Sequence, residues 1–148
     1  MNPMGPMGRN RGMASRKFQR KIQEVAAQVM EEGEQFVAGV AGQAGAGAAA
    51  KLGGWTKGAE VARVGAYLTG DMFSALGILT DRNVYLLSTP PLKAFEVRDV
   101  VSKTPIGSTE VAWVGRSRLE IGSFYLTCTP RMAGDAQRFA ELASRPDT

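Results

Sequence analysis

Apolar residues recur along this chain in two rhythms, separated by a stretch with neither. Over residues 15–32, Phe18, Ile22, Val25, Ala26, Val29 and Met30 fall at helical steps and share one face. Gly33 breaks that pattern, and residues 34–40 read as a strand with modest alternation. From residue 41 the composition turns to Gly and Ala. Residues 57–69 read as a short helix through Val61, Val64 and Leu68, with a strand over 63–69 as the competing reading, because Val64, Ala66 and Leu68 alternate. After Gly70 come short apolar runs punctuated by turn residues, the mark of antiparallel strands. They fall at 75–80, 83–88, 93–97, 100–104, 109–114, 118–121 and 124–129. Asp81-Arg82 is not the Asn-Gly type that two-residue hairpins favour, so a slightly longer turn that includes Asn83 is expected. Pro90-Pro91 and Pro130 end their strands. A last helix over 133–144 gathers Ala136, Phe139, Ala140 and Ala143 on one face.

These elements predict a mainly β fold. One strand before the insertion and about six short ones after it suffice for a seven-stranded antiparallel sandwich or partly open barrel, capped by the C-terminal helix and preceded by an N-terminal amphipathic helix. Residues 1–13, rich in Met, Gly, Pro and Arg without periodicity, are expected to be a disordered tail. Residues 14–32 form a basic amphipathic helix, and residues 33–145 form the domain, with a Gly/Ala-rich insertion at 41–70.

Three pieces of the chain carry a resemblance. Glu32-Gly33-Glu34 stands just before the first strand. Gly77-Ile78-Leu79-Thr80-Asp81-Arg82-Asn83-Val84-Tyr85-Leu86-Leu87 is a hairpin. The final strand leads into a helix bearing Phe139 and Leu142. Over residues 31–144 the chain resembles a bacterial pleckstrin-homology-like (PH-like) domain of the small, GRAM-related kind. The hairpin is similar to that family's "LTdrRlyll". The N-terminal helix and the Gly/Ala-rich insertion depart from the family pattern. The resemblance implies a seven-stranded bent antiparallel sandwich closed by the C-terminal helix, acting as a non-catalytic binding module for proteins or membrane surfaces. In relatives that bind phosphoinositides, clustered Lys and Arg lie around the loop between the first two strands. Here that region offers only the dispersed Lys51, Lys57 and Arg63.

Charge sharpens the picture. The net charge is +4, and Arg9, Arg11, Arg16, Lys17, Arg20 and Lys21 all precede the first acid, Glu24. The basic character therefore belongs to the N-terminal arm, where it suits an anionic surface or a solubilising tail. Basic residues in the first turn and Glu31-Glu32 at the end oppose the helix dipole, so the helix needs something to dock on. The candidate anionic-surface residues are Arg16, Lys17, Arg20, Lys21, Lys51 and Lys57. The candidate partner-contact residues are Phe18, Ile22, Val25, Val29 and Trp55. Trp55 lies beside Gly54-x-x-x-Gly58, a close-packing spacing. Trp113, in a strand, is expected to pack on the core.

Chemistry is sparse. The chain has no histidine, which removes the commonest metal ligand and general base. Its single cysteine, Cys128, alternates with apolar residues and is expected to be buried and inert. No carboxylate pair suggests an acid/base dyad. Gly45-x-Gly47-x-x-Ala50 fits the loose dinucleotide fingerprint, but hairpins follow it rather than βαβ units. No enzyme activity, cofactor or metal is expected, and neither nucleotide nor nucleic acid is an expected partner. The expected partner is a protein or an anionic membrane surface. The alternative is a structural protein that forms a homo-oligomer through the N-terminal helix. The N-terminus has no apolar signal core, and the longest charge-free run, 35–50, is too short and too rich in Gly and Ala to span a bilayer. A cytoplasmic location, free or associated with a membrane, is therefore expected.

Overall fold

The computed structural model describes residues 16–46, 72–93, 95–108 and 110–144. The elements run α1 (Arg16–Ala26), β1 (Phe36–Ala46), β2 (Phe73–Thr80), β3 (Asn83–Ser88), β4 (Asp99–Pro105), β5 (Val111–Val114), β6 (Arg118–Ile121) and β7 (Phe124–Thr127). A 3₁₀ turn (Pro130–Met132) then leads into α2 (Ala133–Ala143). All seven strands join one antiparallel sheet in the order β4-β3-β2-β1-β7-β6-β5, and the sheet is not closed. β1 is the link between its halves. It pairs with β2 from Phe36 to Ala44 and with β7 only over Gln43–Ala46.

The sheet is covered differently on its two faces. On the inner side, Val40, Val84, Leu86, Leu119, Phe124 and Leu126 build the larger core together with Met132 and Phe139. There α2 packs across β1, β5 and β6. On the outer side, α1 lays Ile22, Val25 and Ala26 on Leu76, Ile78, Tyr85 and Leu87. Successive residues of β2 and β3 thus feed opposite cores, which is why both strands read as unbroken apolar runs.

α1 is eleven residues long, too short to be stable alone in water. Its basic first turn opposes the dipole by about 0.3–1 kcal/mol per charge at most. Burying Ile22 and Val25 returns about 1.5–3 kcal/mol each, so docking holds the helix. The approach is close because Gly39 of β1 faces it. A Cβ there would sit 2.3 Å from Ile22 Cγ2. Gly42 serves the junction of the halves in the same way, since its Cβ would lie 2.3 Å from the Thr127 carbonyl oxygen.

Several boundaries differ from the sequence expectation. α1 ends at Ala26 rather than near residue 32. Gln28 N and Val29 N donate three residues back, to Val25 O and Ala26 O, and Glu31 N donates to the Glu34 carboxylate instead of continuing the helix. β1 runs on through Ala46, six residues into the expected insertion. The β2–β3 turn is only Asp81-Arg82. Thr80 Oγ1 accepts from both Arg82 N (3.1 Å) and Asn83 N (2.9 Å), so a side chain closes a turn that lacks Asn-Gly. None of the described residues of the expected strand at 93–97 lies in a strand. Lys93 N donates to Pro90 O and Glu96 N to Lys93 O, folding this segment into two turns. The tail, the rest of the insertion and the alternative helix or strand at 57–69 lie outside the described residues.

Candidate functional site

The most developed polar cluster is buried at the point where α1, β1 and the β2–β3 hairpin meet. Glu34 is only 5% exposed. Its Oε2 accepts from Thr80 Oγ1 and from Asn83 Nδ2 (2.8 Å). Its Oε1 accepts from Tyr85 OH (2.7 Å) and Glu31 N (2.6 Å). Burial alone would raise the carboxyl pKa. The donated bonds from Thr80, Tyr85, Glu31 N and Asn83 outweigh it and hold the group at about 2. Burial and the neighbouring Glu34 carboxylate push the Tyr85 hydroxyl above its ordinary value. Just outside, Glu31 pairs with Lys103 and, at 3.8 Å, with Arg82, while Lys103 Nζ lies 5.8 Å above the Tyr85 ring. These outer pairs are partly exposed and contribute little. A carboxylate held near pKa 2, with its lone pairs filled by the protein, is a poor proton carrier at neutral pH. The cluster acts as a latch: it ties the segment after α1 to the hairpin.

The stretch at 32–34 and the hairpin at 77–87 are the two sides of this latch. Glu34 comes from the first, and Thr80, Asn83 and Tyr85 come from the second. Comparison with family models, curated proteins and solved structures finds no match.

The basic residues predicted for surface binding divide in two. Arg16, Lys17, Arg20 and Lys21 are all exposed on α1, and no acid occupies its first turn. Lys21 Nζ lies 5.4 Å from the centroid of the Phe95 ring. Lys51 and Lys57 lie outside the described residues, as does Trp55. The predicted contact face of α1 is largely spent within the chain. Phe18 is half-buried, edge-to-face with Phe95 at 5.2 Å, and Val29 packs at the margin. For Ile22 and Val25, fully enclosed by Leu76, Ile78 and their neighbours, the chain's own sheet replaces the expected partner.

Other expected positions hold. Cys128 is buried, and burial, with Asp135 adding a smaller effect, pushes its thiol up to about 12, so it stays protonated at neutral pH. Trp113 is half-buried against the inner core. Gly45, the first glycine of the dinucleotide-like motif, lies within β1 opposite Tyr125, and the rest of the motif lies outside the described residues. Among the described residues, no group of three or more His, Cys, Asp or Glu could hold a metal ion, and no helix is long and apolar enough to cross a membrane.

Two features escaped the sequence reading. One is the convergence on Glu34, whose side-chain donors lie 46 to 51 positions away. The other is the surface beside α1. There Phe95 joins the helix to the Pro90–Lys93 turn, and the run Pro90-Pro91-Leu92-Lys93 was the available signal.

Proposed function

We propose that the chain is a non-catalytic PH-like binding module that docks reversibly on an anionic membrane surface through the basic turns of α1. The observation that carries this is the exposure of Arg16, Lys17, Arg20 and Lys21 on a helix held in place by its own apolar face. With Glu24 counted, the helix bears a net +3, from four bases and one acid. At about 1 kcal/mol per basic residue near an anionic leaflet, this suits weak, salt-sensitive association. The PH-like part of the proposal draws support from the seven-stranded open sheet, the helix packed across its inner face, and the meeting of the two quoted stretches at Glu34. Assembly through the apolar face of α1 has less to work with, since Ile22 and Val25 are already covered.

Sedimentation of the full chain with vesicles tests the proposal. Phosphatidylcholine vesicles should leave it in solution. Vesicles that also contain phosphatidylserine should bring it down, and salt or the double substitution Lys17→Glu, Arg20→Glu should release it. A chain that ignores both kinds of vesicle at low salt is not a membrane module, and a protein partner becomes the reading to pursue.

A further inference from the structure

Among the described residues Leu92 is 97% exposed, whereas the next most exposed large apolar residues, Met72, Val114 and Val37, are only 42–46% exposed. It sits at the third position of a turn closed by Lys93 N donating to Pro90 O (3.1 Å), with Pro91 before it fixing the backbone. The base of the loop is tied down as well. Glu96 N donates to Lys93 O (3.1 Å), and Arg98 N donates to Ser88 O (2.8 Å). Three residues on, Phe95 packs against Phe18 and lies under Lys21, so the turn is anchored to the first turns of α1.

We propose that this turn inserts Leu92 into the acyl boundary of an anionic bilayer, beside the headgroups held by Arg16, Lys17, Arg20 and Lys21. The inference rests on the membrane reading above and adds a second, apolar contact to it. The charges around the turn are compatible. Lys93 pairs with Glu96 at 3.9 Å and cancels it, Lys21 adds a cation over Phe95, and Glu24 is the single acid on the helix. A bilayer fits this surface better than a protein does. A stable protein interface needs about 800 Å² per partner, built around a packed apolar centre. One aliphatic side chain on a proline-stiffened turn, beside a basic helix, offers no such centre. A lipid boundary needs no matching shape. The turn is already ordered, so insertion costs little conformational entropy.

The test uses the full chain with phosphatidylcholine vesicles, with and without phosphatidylserine. Leu92→Ser should weaken partitioning into the anionic vesicles by about tenfold at fixed salt, while leaving the salt dependence and the melting temperature unchanged. Leu92→Trp should bind as the parent does. Lipids brominated in the acyl chain should quench its fluorescence beyond the level that Trp55 and Trp113 give in the parent. If the parent chain binds and Leu92→Ser binds equally well, the insertion is wrong and the headgroup contact stands alone. If the parent chain binds no vesicle, the membrane reading falls and the insertion falls with it.

Discussion

β3 is buried at every position and β2 at its last six, whereas β6 and β7, strands of the same sheet, bury only alternate residues fully. The difference lies in what covers the outer face. Over β2 and β3 it is α1, and the outward residues are Leu76, Ile78, Tyr85 and Leu87. Over β6 and β7 the outward residues are Arg118, Glu120, Tyr125 and Thr127, with Arg118 stacked 4.2 Å over the Tyr125 ring. One sheet thus carries a two-sided half and a one-sided half. The N-terminal helix completes the first of these and shares its core.

The comparison can be broken most forcefully at Ile22. Ile22→Asp places a charge where nothing is exposed, and it should cost about 4 kcal/mol or more. Urea denaturation would show it, and Val114→Thr on the open half should shift the same midpoint by less than about 0.5 kcal/mol. Glu34 comes next. Its carboxyl sits at about 2 in the fold against an ordinary 4.5, so it contributes stability in full above about 4.5, and that contribution is lost as pH falls toward 2. The loss should be on the order of 3 kcal/mol. Glu34→Gln should be less stable at neutral pH and should flatten this part of the stability–pH curve. An unchanged curve in the variant would remove the latch from the account. Gly39→Ala should cost about 1–3 kcal/mol through the clash with Ile22. Hydrogen exchange should speed up in α1 and leave β6 and β7 as they were.

Much of the one-sided half was legible in the sequence, because each of its strands carries its own alternation. The strand at 118–121 and the α2 face of Ala136, Phe139, Ala140 and Ala143 match the sequence expectation. The two-sided half was harder. Phe95 and Val97 alternate like a strand but pack beside α1 from a pair of turns. Gly and Ala have low strand propensity, so the sequence ends the first strand at Val40, yet the approach of Thr127 leaves no room for a side chain at residue 42 of β1. α1 ends in three-residue turns at Gln28 and Val29, and Glu31 N turns to the Glu34 carboxylate rather than to another helical turn; no local periodicity reports either. Of the candidate site, the basic turns were visible as charge. The exposure of Leu92 was not, because an isolated Leu after two prolines has no pattern to betray it.

The docking of α1 also has a consequence in time. Ile22 leaves the ribosome about sixty residues before Leu87, the last of the sheet residues it rests on. At roughly 5–20 residues per second, the helix waits about 3–12 seconds for its seat. During that interval an eleven-residue basic segment with an uncovered apolar stripe is free to meet whatever is nearby. What that segment meets in those seconds is governed by its own charge and apolar stripe, because the sheet that will hold it does not yet exist.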